Sequence, residues 1–293
     1  MIRNDLFLAV LVMAIWGFNF SMIKMGITEV HPLLATAARF SFAPALFFIL
    51  KCGWRYLISY GIVFGVGIWG MTSWSITAGL SSGMSSVLLS SNALISMAVG
   101  VFIHKEMVSK RKVTGAITAL AALLILAYAT NGNITPQGLA LIMIAATCWT
   151  IMGMIVKASK TTQAFAFNVW GMLFAPVPLV LFAVSMHGPN IVTHAFDVWD
   201  TSTTIAVGFQ AYPTTLFGYW VWNRLLIRYP LSMTAPLTLL VPVFALISGY
   251  FMYDEVLSVT QIMACTLFLI GIGLIVKPTQ SQSSVNAKPV TQS

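Results

Sequence analysis

Apolar residues run in long blocks along this chain, and short polar or turn-forming breaks divide them into ten segments. These cover 6–25, 33–50, 56–76, 82–103, 112–130, 136–157, 165–185, 203–224, 231–252 and 259–276. A helix that crosses a hydrocarbon core needs about 20 mostly apolar residues. The pattern therefore predicts an all-α polytopic membrane protein with ten transmembrane helices. Lipid cannot solvate a polar side chain, so each polar residue inside a segment must face protein or water.

Three anchors occur twice in one order. Trp16 to Lys24, WGFNFSMIK, returns as Trp149 to Lys157, WTIMGMIVK, with Trp and Lys at the same spacing. Phe42-Ala43-Pro44 follows the first copy and Phe174-Ala175-Pro176 the second. Later in each half an apolar segment ends in a glutamate, Glu106 and Glu255. Two copies of one five-helix unit are expected, 1–131 and 132–278, followed by a cytoplasmic tail at 279–293 too poor in apolar residues to fold. An odd number of crossings makes the second copy enter the membrane in the opposite sense. Two inverted repeats then enclose a site near mid-membrane.

Composition narrows the class. The 293 residues are 58% hydrophobic and only 8% charged, too few charges for a water-facing surface. With the N-terminus in the cytoplasm, 13 of the 15 basic residues fall on the cytoplasmic side, and only Lys24 and Arg39 do not. The C-terminus is then cytoplasmic too. The net charge of +8 is scattered over short loops and reflects this bias, not a nucleic-acid partner. The first segment resembles a signal peptide, but no small-residue cleavage site follows, so it is expected to be retained. Cys52, Cys148 and Cys265 show no framework spacing and read as free thiols.

The candidate substrate contacts are Asn19, Trp69, Ser73, Asn92, Trp149, Gln210, Tyr212 and Tyr219, each polar or amphipathic in an otherwise apolar segment. Interhelical hydrogen bonds or interfacial anchoring would use such residues equally. In the eighth segment Tyr212, Thr215 and Tyr219 share a helical face, and Pro213 loosens the helix. Ser85, Asn92 and Ser96 line one stripe of the fourth. His187 to Ser202 reads as the longest loop. Lys24, Arg39, Glu106, Lys157 and Glu255 form the charge set. Arg39, well inside the second segment, is a functional-site candidate because a buried guanidinium must be paired or wet, with snorkelling to the outer interface as the alternative. Lys24–Glu255 is expected to close the outer mouth and Lys157–Glu106 the inner one, with Asp254, Glu29 and Arg39 as competitors at the outer end.

WGFNFSMIK, HPLLATAARFSF at 31–42, PLTLLVPVFALISGYFMYDE at 236–255 and the doubled five-span plan resemble the EamA family of the drug/metabolite transporter superfamily. The likeness extends over residues 5 to 277. It is greatest to the bacterial branch that exports amino-acid metabolites such as cysteine and O-acetylserine. The resemblance implies ten helices, both termini inside, and export of small metabolites through a central cavity. One departure is in the fourth segment, where Asn92-Ala93-Leu94 stands in place of the Pro-Val-Phe found at 242–244.

The expected function is a secondary transporter exporting small amino acids or amino-acid metabolites across the bacterial inner membrane by alternating access. A carrier for another small metabolite or drug, or a passive channel, is the alternative. An enzyme is not expected, because no His or Cys pair has metal spacing and no intramembrane Ser has a His or Asp to match it. No cofactor and no metal are implied. The partners are the substrate and the bilayer, with the monomer as the simplest assembly. No carboxylate lies mid-span, so the coupling ion is open.

Overall fold

The computed structural model describes residues 1–42, 53–102, 105, 108–128, 134–229 and 234–276. Ala43, Pro44, Cys52, Glu106 and the 131–133 turn lie outside them, as does the 277–293 tail. All regular structure among the described residues is helical. The helices are α1 (Arg3–Gly26), α2 (Pro32–Ser41), α3 (Trp54–Thr77), α4 (Ser82–Phe102), α5 (Lys110–Tyr128) and α6 (Pro136–Ser159). Then come α7 (Ala164–His187), α8 (Asn190–Asp197), α9 (201–228), α10 (Leu240–Tyr253, after a 3-10 turn at Ala235–Leu239) and α11 (Val259–Val276). Six of them, α1, α3, α4, α6, α7 and α11, are long and apolar enough to cross a membrane, and Leu237–Tyr253 is a shorter apolar helix. The protein is a multi-pass membrane protein.

Helix starts follow local chemistry. Pro32 and Pro136 occupy first-turn positions, where the missing N–H costs nothing. Ser81 accepts from the Met84 amide at the start of α4, and Asp200 from the Thr203 amide at the start of α9. In α7 the chain loosens over Leu173–Ala175, ahead of Pro176. The expected loop at 187–202 is instead interrupted by α8. Ile191, Ala195 and Val198, three to four apart, present a short apolar face that packs on the core.

Packing crosses between the two halves. The α1 helix lies against α10 and α9, while α6 lies against α4 and α3. The α2 helix meets α9, and α3 meets α7. The α2–α7 and α5–α11 pairs also join the two halves directly. The α5–α11 crossing is so close that a Cβ at Gly115 would sit 2.6 Å from the Gly271 carbonyl oxygen.

Two of the described helices contain a π stretch. In α3 residues Ile62–Gly70 form a π stretch, and in α9 residues Gln210–Phe217 form another. The 3.6-residue period predicts neither. These are the third described helix of the chain and the third long helix after residue 136. The Pro213 ring supplies no N–H, so the α ladder cannot close across it. Two carbonyls of the second stretch take side-chain donors: Trp16 Nε1 donates to the Thr214 carbonyl at 3.0 Å, and the Thr215 hydroxyl to the Gln210 carbonyl at 2.8 Å.

Candidate functional site

The two π stretches meet at one side chain. Arg39 lies two turns into α2, roughly 10 Å from its start, and is only 1% exposed. Its Nη2 donates to Thr215 Oγ1 at 3.1 Å and its Nε to the same oxygen at 3.3 Å. Its guanidinium carbon lies 4.4 Å from the centre of the Trp69 ring. Thr215 belongs to the second π stretch and Trp69 to the first. One turn before Arg39, the Thr36 hydroxyl bonds the Ser73 hydroxyl at 2.9 Å, one turn after Trp69. The antiparallel α2 and α3 helices are thus registered through two successive pairs.

Aromatic rings wall this centre. Trp69 meets Trp149 of α6 at 6.1 Å between centroids, and Phe20 of α1 at 6.3 Å. Phe64 bridges Trp69 and Tyr219, at 6.2 and 6.1 Å. Trp16 closes the wall against Tyr219 at 5.4 Å. Helices α1, α2, α3, α6 and α9 therefore contribute, so both halves build the site. Several polar atoms buried in these helices have no partner: both amide atoms of Asn19, Arg39 Nη1, Trp69 Nε1, and the Thr72 and Thr214 hydroxyls. A buried polar atom without a partner costs about 1–3 kcal/mol. Several of them on helices that share one aromatic wall mark a place where polar cargo can bind.

A second cluster sits where α1, α4 and α10 end together. Lys24 Nζ is 2.8 Å from Glu255 Oε1. The same carboxylate accepts from the Ser82 amide at 2.9 Å, the Gly83 amide at 3.1 Å and the Ser82 hydroxyl. Glu255 is thus an ion-pair partner and the anionic cap of α4 together. Asp254, in the left-handed region with φ 51°, turns the chain so that Glu255 points back. Gly249 leaves room, since a Cβ there would collide with the carboxylate. Burial alone would raise the Glu255 pKa, but the Lys24 hydrogen bond and the Gly83 and Ser82 amides outweigh it and hold it below the ordinary value. Lys24 also lies 4.3 Å from the Tyr253 ring centre. The competitors Glu29 and Asp254 are exposed and take no part in this pair.

At the far end of α1, Asp5 accepts from the Tyr229 hydroxyl at 2.7 Å and from Arg228 at 3.4 Å. Asp5 and Lys24 are nineteen residues apart. That separation spans about 28 Å of helix, close to one bilayer core. One helix therefore carries an ion pair to the second half at each end.

The candidate residues divide accordingly. Trp69, Trp149 and Tyr219 come together in the aromatic wall, and buried Asn19 lies on α1 between Trp16 and Phe20. Ser73 joins through Thr36, and Gln210 is buried with its Nε2 3.5 Å from the Met22 carbonyl. Tyr212 does not join, for its side chain is 51% exposed. The π geometry shifts the register, so Thr215 and Tyr219 turn inward while Tyr212 turns out. Asn92 is half-buried and bonds the Leu89 carbonyl at the Ser90–Ser91 break of α4, outside the wall. That break also divides the Ser85–Ser96 stripe: Ser85 bonds Ser81, whereas Ser96 bonds Thr150 of α6. Arg39, expected from the sequence as a functional-site candidate within its segment and a competitor at the outer mouth, stands in the centre. Lys157 is exposed, and its expected partner Glu106 lies outside the described residues.

A bundle of apolar helices that buries polar residues from both halves around one point is the architecture of a membrane transporter. The comparisons agree. The EamA-like transporter family matches twice, at residues 4–128 and 136–277, and the chain belongs to that family. A relative from Salmonella typhimurium named "Probable amino-acid metabolite efflux pump" is 31% identical, over 93% of this chain and 94% of its own length. One of the same name from Escherichia coli is 28% identical over the same shares. A solved crystal structure shares the fold with a TM-score of 0.60 at 16% identity, covering 97% of this chain and 99% of that one.

Proposed function

We propose that the protein is a secondary transporter that exports small amino acids or amino-acid metabolites across the bacterial inner membrane by alternating access. The observation that carries this reading is the meeting of two π stretches, one from each half, at Arg39. Interrupted helices in corresponding positions are where carriers of this plan place their cargo. The efflux-pump names of the two relatives support the cargo class and the outward direction.

The proposed architecture is ten transmembrane helices in two inverted five-helix repeats, 1–131 and 132–278, with both termini cytoplasmic. The doubled family match supports it. So does the exchanged packing, in which α1 on α10 corresponds to α6 on α4. Near-complete burial of Asn19 and Arg39 favours a carrier over an open channel. The proposed motion alternates the two ends of α1. Lys24–Glu255 closes the outer mouth, and the Asp5 cluster lies where an inner closure would act.

The test is transport by the full-length protein in lipid vesicles, with and without a proton gradient. Saturable export and counterflow of neutral amino acids are expected. Unsaturable flux would make it a channel. Movement confined to dipeptides, polyamines or lipophilic cations would give it another cargo.

A further inference from the structure

We infer that Arg39 binds the carboxylate of the cargo, and that the site recognises this carboxylate and not the amino group. The inference deepens the transporter reading and rests on it for the meaning of the cluster as a cargo site.

A guanidinium offers five N–H donors in a planar fork. Here two of its nitrogens converge on one neutral acceptor, Thr215 Oγ1, and Nη1 has no partner. Thr215 spends its own proton on the Gln210 carbonyl, so only its lone pairs face the arginine. Nothing in that arrangement neutralises the charge. The chain has seven acidic residues. Asp5, Glu29, Asp197, Asp200, Asp254 and Glu255 lie at helix ends or in loops, and none of the six is paired with Arg39. The seventh, Glu106, lies outside the described residues. A fully buried cation without an anion is strongly unfavourable, and the group that best satisfies a guanidinium fork is a carboxylate bound through both oxygens.

The surroundings define the cargo further. Trp69 stacks on the guanidinium, Thr215 takes Nε and Nη2, and Nη1 is left without a partner. The other unpartnered groups, on Asn19, Thr72, Thr214 and the Trp69 indole, are neutral. One positive charge therefore meets one negative charge. A dicarboxylate or a phosphorylated amino acid would bring a second anion with no cation to receive it. No described acid stands ready for an ammonium, and the aromatic wall accepts an amino group or a neutral substituent alike.

The experiment is thermal melting of the purified full-length protein with a set of small probes. L-serine, O-acetyl-L-serine, N-acetyl-L-serine and L-lactate are expected to raise the melting temperature. L-serine methyl ester, L-serinamide and O-phospho-L-serine are expected not to. Arg39→Lys, which keeps the charge and loses the fork, should weaken the response to acids by about tenfold or more. Arg39→Gln should abolish it while melting, without probe, at or above the wild-type temperature, because it removes an unpaired buried charge. A purely structural Arg39, tying α2 to α9 through Thr215, predicts the reverse: a lower melting temperature with the acid response intact. That result would overturn the inference. Equal stabilisation by ester and acid, or no stabilisation by any carboxylate, would do the same, and the probe series on the wild type needs no variant to fold. If the acids stabilise the protein but vesicles export no amino acid, the amino-acid export reading fails and the carboxylate site stands.

Discussion

Lys24 Nζ lies 2.8 Å from Glu255 Oε1, although 231 residues separate them in the chain. The two sides of this pair are not equivalent. Lys24 is one-third exposed and contributes a charge to an 8%-exposed carboxylate. Glu255 also accepts from the first amides of α4, which have no other partner in the helix.

Loss of Glu255 should therefore cost more than loss of Lys24. Lys24→Met removes a partly exposed pair, a change of about 1 kcal/mol or less. Glu255→Ala also leaves the Ser82 and Gly83 amides bare, a change of roughly 2 kcal/mol or more. Lys24→Glu and Glu255→Lys should each impair transport. The double swap should restore only part of it, because a lysine at 255 regains the pair but cannot cap α4. Melting temperatures and vesicle transport of the five variants check this. Full recovery in the double swap would show that the cap is irrelevant.

His31 makes the stability of one helix start depend on pH. It accepts from the Leu33 amide at the head of α2, and its ring lies 4.7 Å from that of His187. Burial first, and the neighbouring His187 second, push its pKa down to about 4. An unfolded histidine titrates near 6.5. Between about pH 6.5 and 4 the unfolded chain binds the extra proton, so this stability is complete above the window and is lost as pH falls through it. His31→Asn keeps a capping acceptor and has no such proton. The wild-type melting temperature should fall more steeply than that of the variant from pH 7 to 4, and parallel curves would refute the mechanism.

Much of this was legible in the sequence, for identifiable reasons. Hydropathy marks the helices because lipid admits no other patterning. The Lys24–Glu255 contact was legible because both residues belong to anchors that recur in one order along the chain, and pairing one from each half brings these two together. The π stretches were not, because a 3.6-residue period is built into any reading of faces. Tyr212 was drawn into the site by that period, and Thr215, which touches Arg39, was placed on its face but given no role. Pro213 was the available signal. The Asp5–Arg228–Tyr229 cluster was invisible, since nothing local links charges 223 residues apart. Arg39 was legible as a functional-site candidate because it lies well inside its segment, but its partners were not, since sequence gives depth along a helix and not what lies beside it.

The α1–α10 crossing should tolerate no side chain at Gly17. A Cβ there would stand 2.7 Å from the Val241 carbonyl oxygen and 2.9 Å from the Ala245 amide, both backbone atoms that cannot swing aside. At the corresponding place in α6 the residue is Thr150, whose hydroxyl bonds Ser96 at 2.9 Å and lies 3.3 Å from the Asn92 carbonyl of α4. The second crossing is thus wide enough for a side chain and the first is not. Gly17→Val should destabilise by about 1–3 kcal/mol, read as a lower melting temperature and reduced yield. Thr150→Ser should change little. Normal melting of Gly17→Val would mean that the helices part without cost.

Asn19 separates stability from function most sharply. Its side chain is fully buried on α1, and neither amide atom has a partner. Removing such a group and filling its volume with carbon relieves a desolvation cost of about 1–3 kcal/mol. Asn19→Leu is nearly isosteric and keeps helix propensity. If the amide serves the bundle, the substitution should lower the melting temperature. If it serves the cargo, the variant should melt higher than wild type and transport less, the trade-off expected where a binding site is maintained at the expense of stability. The second outcome is expected, because the neighbours Trp16 and Phe20 pack into the aromatic wall while Asn19 itself bonds nothing. Melting and vesicle transport on the same preparation decide it, and a variant that melts lower while transporting normally would remove Asn19 from the site.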